Sequence, residues 1–238
     1  MNAGNEPNTP PPLPPTGVNL EDDYCPMRKR IGIVTTVEAL LKHPRQVIFQ
    51  LHQEHPAWLI ACLCAIAIIC SLAYGFVVGS FSGGQQLWIA SAKVPAALLI
   101  SALFCLPSLY IFTCLNGIEV RLAEVCGLLF GAVALCCVLL VGFAPIAWLF
   151  SESTHSEAFI GALHLLFWGI GICFGLRLLF DGLTYLNANE AGHLNVWAFL
   201  FILVCLQMTT TLRPIVGTAD TFLPTEKKFF LVHWWNCL

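Results

Sequence analysis

Five apolar runs, at about 57–79, 93–115, 122–150, 158–181 and 195–212, follow one another with only short polar connections. A helix needs about 20 apolar residues to cross ~30 Å of hydrocarbon. The first four runs meet that length, and the last nearly does with its flanks. Backbone N–H and C=O groups in lipid must be satisfied within the segment, so each run is restricted to helix. The chain is 58% hydrophobic and only 11% charged, against roughly 25% charged in soluble domains. Such a chain lacks the polar groups to cover a water-facing surface. The expected fold class is therefore all-α: a polytopic membrane helix bundle of about five transmembrane helices, with the lipid bilayer as its first partner.

The connections YGFVVGSFSGGQQ, LNGIEVR, SESTHSE and NANEAGH are short, so sequential helices are expected to pack antiparallel. The third run is long, and is expected to tilt or bend near Pro145. Four segments result. Residues 1–31 form a proline-rich cytoplasmic tail expected to be disordered, either a solvated spacer or a docking peptide in polyproline II form. Residues 32–56 form an amphipathic lead-in, 57–212 the five-span bundle, and 213–238 an aromatic interfacial tail.

In the lead-in, Thr36 is the expected N-cap of a first short helix with Val37, Leu40 and Leu41 on one face. Pro44 suits the first turn of a second, since its missing N–H is not needed there. Val47, Ile48 and Leu51 line one side of that helix, which is expected to lie along the headgroup boundary. In the C-terminal tail, Phe222, Phe229, Phe230, Trp234 and Trp235 form a set suited to an interfacial cap.

No cleavable signal is expected, because the polar, proline-rich start has no apolar h-region. The first run then acts as a signal-anchor. With the N-terminus inside, the inner side holds Arg28, Lys29, Arg30, Lys42, Arg45, Arg121 and Arg177, and the outer side Lys93, Arg213, Lys227 and Lys228. The excess of basic residues inside favours that orientation. Ten of the 12 cysteines lie in apolar runs, where cysteine behaves as a small hydrophobe. Cys25 and Cys237 fall on opposite sides, so no disulfide framework is expected.

The candidate polar intramembrane residues are Lys93, Ser108, Glu124, His164, Arg177 and Asp181. Lys93, beside Trp88 at the end of the second run, reads either as an anchor whose ammonium extends to the headgroups or as a ligand for substrate. Pro95 then falls in the first helical turn. Pro107 lies mid-span, frees a carbonyl near position 103, and is expected to kink the helix, with Ser108 or water bonding the freed group. His164 reads as a proton shuttle, a ligand-binding group or a neutral interhelical contact. Arg177 and Asp181, four apart, are placed to pair, as are Arg121 and Glu124, three apart. Gly127 with Gly131, and Gly171 with Gly175, permit close helix approach, and Gly169 extends the smooth face.

His52-x-x-His55 has the wrong spacing for a zincin. Ser151, Glu152, His155 and Glu157 crowd one outer loop, which reads either as a weak cation site or as an ordinary hydrophilic connection. No nucleophile elbow, phosphate loop or haem attachment motif is present, so no catalytic residue, cofactor or metal is assigned. Net charge −3 and the absence of a basic stripe argue against nucleic acid.

KVPAALLISALFCLPSLYIFTCLNG, the preceding YGFVVGSFSGG and the closing LRPIVG together resemble a group of uncharacterised bacterial multi-pass membrane proteins. Their pattern is Lys-x-Pro, Pro-Ser-Leu-Tyr and Arg-Pro-x-x-Gly, matched here by Lys93, Pro95, Pro107, Ser108, Leu109, Tyr110, Arg213, Pro214 and Gly217. The resemblance implies a bacterial cytoplasmic membrane and no particular activity. More distantly, the polar start, amphipathic lead-in and five close spans are similar to the Yip family of membrane-trafficking proteins, whose acidic–aromatic motif is absent. The expected function is a non-enzymatic scaffold or partner subunit of a membrane assembly. The alternative is a small transporter or channel with a path near Lys93, Pro107 and His164.

Overall fold

A computed structural model describes residues 32–53, 56–80, 86–115, 120–153, 157–186 and 192–211. Among them the chain is helical with no strand: α1 (Ile33–Lys42), α2 (Pro44–Leu51), α3 (Ala57–Ser80), α4 (Gln86–Leu115), α5 (Leu122–Ser153), α6 (Glu157–Tyr185) and α7 (Gly192–Thr211). The proline-rich tail and the aromatic C-terminal tail lie outside the described residues.

Four helices are long and apolar enough to cross a bilayer: Ala57–Ser80, Ser91–Leu115, Leu122–Ser153 and Phe159–Tyr185, with mean hydropathy of 2.0 to 2.7. The fifth expected span is α7, whose described apolar part, Asn195–Gln207, is shorter. None of the five has a distinct apolar stripe. This is expected where lipid covers one side and other helices cover the rest.

The third run becomes the centre of the bundle. In α5, 67% of the apolar window is buried, against 28–39% in the other three long helices. α3 packs on one side of α5 and α6 on another, α4 packs against α3, and α7 packs mainly against α4. Leu63, Leu128, Leu129, Val133, Cys137 and Leu179 belong to the main core that results.

The lead-in helices pack their apolar side against the bundle. Leu40, Val47, Ile48 and Leu51 are buried in the same core as α3 and α5. Leu51 sits over Gly127, where an added Cβ would come within 2.5 Å of its Cδ2. The absence of a side chain at Gly127 thus makes the pocket that holds α2 on the bundle.

Pro44 does occupy the first turn of α2. Thr36 is not the N-cap. α1 starts four residues earlier, with Gly32 as N-cap. The Gly32 N–H donates to Thr35 Oγ1 (2.8 Å), and that hydroxyl donates to the Gly32 carbonyl (2.9 Å). Thr36 is buried inside the helix instead.

Candidate functional site

Polar side chains inside the bundle fall into two separate groups. The first lies toward the α3–α4 and α5–α6 connections. Tyr74 stands six residues before the end of α3, Lys93 seven after the start of α4 and His164 seven after the start of α6. At 1.5 Å per residue, each is about 10 Å inside its helix end. Tyr74 and Lys93 are fully buried and His164 is 8% exposed.

The Tyr74 hydroxyl and His164 Nδ1 share a 2.7 Å hydrogen bond, and their rings meet edge-on at 5.7 Å. This bond joins α3 to α6. Around it lies a second, smaller core containing Val78, Val94, Cys136, Leu140 and Phe167. Phe143 stacks on Phe167 at 4.8 Å. On the α3–α4 side, the Ser91 hydroxyl donates to the Leu72 carbonyl at 3.0 Å.

Lys93 is thus covered by protein rather than left at the open surface of the bundle. α4 begins at Gln86, ahead of the expected start of the span, which carries both Lys93 and Pro95 into the helix interior. The apolar Trp88-Ile89-Ala90 lets the helix start early, and α3 and its neighbours then cover the lysine stem. Lys93 is also engaged rather than free.

The second group lies in the other half of α4. α4 runs unbroken through Pro95 and Pro107. The Ser108 hydroxyl donates to the Cys105 carbonyl at 2.8 Å, not to the group near position 103. Trp197 of α7 donates its indole N–H to Ser108 Oγ (3.1 Å) and to the Cys105 carbonyl (3.3 Å). Trp197 is 1% exposed and stacks on Phe201 at 5.3 Å. Indole nitrogen buried in an apolar bundle needs an acceptor, and the proline-bearing turn of α4 supplies two.

Glu124 caps α5. Its Oε2 accepts from the Arg121 backbone N–H at 3.1 Å, as a carboxylate at the third helical position does in a capping box. The expected Arg121–Glu124 ion pair is thus replaced by a backbone contact. Arg177 and Asp181 are both exposed on α6, and among the described residues neither makes an ion pair.

The glycines divide as well. A Cβ at Gly171 would stand 2.9 Å from Cys136 Sγ, and one at Gly175 would stand 2.7 Å from the Ala132 carbonyl oxygen. Gly182 faces Leu128 just as closely. Gly131 has ordinary room, with Leu63 and Leu178 at 3.8 Å. Gly169 is not on this face: among the described residues nothing lies within 4 Å of its added Cβ.

A cavity of about 20 Å³ lies between α4, α5, α6 and α7, lined by apolar groups including Leu98, Leu129, Leu179, Trp197 and Phe201. None of Lys93, Ser108, His164 or Arg177 lines it. Among the described residues no group of three or more His, Cys, Asp or Glu is placed to hold a metal ion.

Tyr74 and Trp197 are the two partners missed in the sequence. Both sit in apolar runs where an aromatic residue carries no polar signal of its own. Gly182 was open to detection, since it lies seven residues, or two turns, after Gly175.

These features define a multi-span integral membrane protein with an all-helical bundle. Against protein-family models, curated proteins and solved structures, the chain finds no match.

Proposed function

We propose that this chain is a non-enzymatic scaffold or partner subunit of a membrane assembly, in a bacterial cytoplasmic membrane with its N-terminus inside. One observation carries the reading. Ser108, Glu124 and His164 are each committed to a neighbouring helix or a helix end, and the cavity between the spans has no polar side chain from that set. A transport path needs polar groups that face a common space and exchange partners with a substrate. Fixed interhelical contacts instead favour one rigid surface for other proteins to bind.

Capture of the tagged chain from native membranes in mild detergent, followed by mass spectrometry, tests this. A stoichiometric membrane-protein partner is the expected result. Recovery of the chain alone, together with ion flux in liposomes, overturns the reading.

A second reading has one observation in its favour. Lys93 and His164 are both buried, each seven residues after the start of its helix, and charged and titratable groups inside a membrane bundle are costly and often functional. In this reading the chain is a small transporter, and Lys93→Met abolishes flux in liposomes while the bundle stays folded. Unchanged flux in the variant, or none in the parent chain, removes it.

A further inference from the structure

We propose that α1 and α2 form a releasable strap, a unit that lifts off one end of the bundle while the spanning helices stay folded. This goes beyond the scaffold reading and does not rest on it.

The strap meets three helices at one end. A Cβ added at Gly127 would meet Leu51 of α2 and Ile60 of α3. Gly127 lies five residues after the start of α5, and Ile60 three after the start of α3. His52, just past α2, meets the ring of Tyr185 edge-on at 5.1 Å, and Tyr185 is the last residue of α6.

What holds the strap is apolar: Ala39, Leu40, Val47, Ile48 and Leu51 are buried. What weakens it is polar. Thr36 is 0% exposed, and its hydroxyl has no hydrogen-bond partner among the described residues. A threonine inside a helix can return its hydroxyl to the carbonyl four residues back. Here that carbonyl, on Gly32, already accepts the Thr36 N–H and the Thr35 hydroxyl, each at 2.9 Å, so both of its lone pairs are taken. His52 repeats the pattern. Its Nδ1 bonds the Ile48 carbonyl at 2.8 Å. A carbonyl only accepts, so Nδ1 carries the proton of the neutral ring and Nε2 is left as an acceptor. Nε2 is buried with no donor among the described residues.

Both atoms meet water when the strap lifts. Docking therefore loses two hydrogen bonds that it does not replace. The bonds of Thr35 to Gly32, Lys42 to Glu38 and His52 to Ile48 each close within the strap, so release leaves them intact. Apolar burial offset by orphaned polar atoms leaves a small margin, and a unit held by a small margin opens before the rest of the fold. Release bares the Gly127 notch, which Leu51 fills when the strap is docked.

Hydrogen exchange of the full chain in lipid nanodiscs, read by mass spectrometry, tests this. The amides of α1 and α2 are expected to exchange together and faster than those of α5. Thr36→Val keeps the side-chain shape and removes the orphaned hydroxyl. It slows exchange about tenfold in both helices, within the range for an unsatisfied buried hydroxyl. Gly127→Leu fills the notch from the bundle side. It brings α1 and α2 close to the unprotected rate and leaves α5 and α6 as protected as before. Four results overturn the proposal: strap exchange no faster than that of α5, Thr36→Val exchanging as fast as the parent chain or faster, α1 and α2 responding separately, or Gly127→Leu either leaving the strap protected or loosening α5 and α6 with it.

Discussion

The α5–α6 seam and the α4–α7 seam are both contacts between apolar helices, but they are built differently. α6 meets α5 through Gly171, Gly175 and Gly182, close enough that a single methyl group at Gly175 would strike the Ala132 carbonyl oxygen. α7 meets α4 along a face that buries Trp197, Phe201 and Cys205, and the Trp197 N–H reaches the Cys105 carbonyl and Ser108 beside Pro107. In lipid the tails are as apolar as leucine, so helices associate through van der Waals fit and hydrogen bonds rather than by escaping water. The first seam relies on fit along a length of backbone. The second adds to its apolar contacts a large side-chain anchor with a polar tip. A backbone seam has no slack, while a side-chain anchor can lose its bond and keep most of its packing.

The sharpest way to break that contrast is at Gly175. Gly175→Leu places a bulky group against backbone that cannot move aside, and the bundle is expected to lose on the order of 4 kcal/mol or more. Denaturant unfolding in detergent micelles measures it, and tolerance of the leucine would show that α6 has more freedom than the seam implies.

Trp197→Ala is expected to cost about 3 kcal/mol by removing a buried aromatic side chain, with α7 becoming protease-sensitive before the other helices. Trp197→Phe retains the ring and loses only the N–H. Its expected cost is about 0.6 kcal/mol and no more than about 1.7, the range for interhelical hydrogen bonds in lipid. If the phenylalanine costs as much as the alanine, the anchor is polar rather than a packing device.

Tyr74→Phe removes the bond to His164 and belongs to the same range, about 0.6 kcal/mol. The smallest effect is expected at Lys42, whose ammonium bonds Glu38 at 3.1 Å on the exposed side of α1. Lys42→Ala should cost about 0.3–0.5 kcal/mol or less, and less again at high salt.

Much of this molecule is legible in its residues. The first three long helices start or end within a few residues of the runs that foretell them. Pro44 marks the start of α2, and Val47, Ile48 and Leu51 form its buried side. Gly171 and Gly175 mark a close approach. The failures have a common cause. Lys93 looks terminal because a run of apolar residues begins beside it, yet α4 starts at Gln86 and neighbouring helices cover the lysine. The lead-in reads as short amphipathic pieces, and what its apolar side meets was not legible: Gly127 leaves a notch that Leu51 fills. Arg177 and Asp181 look like a pair because they are four apart, yet each stands alone among the described residues.

The sequence by itself determined that the chain is helical and spans a bilayer, because long apolar runs in lipid can satisfy their backbone in no other way open to a single short segment. It also set where proline may sit and where glycine leaves room. Only the tertiary structure decided which helix became the centre, which polar groups met and which faces stayed open. Those outcomes depend on the angle at which each helix presents its side chains to its neighbours, and that angle is settled by packing across residues far apart in the chain, such as Tyr74 with His164 and Ser108 with Trp197.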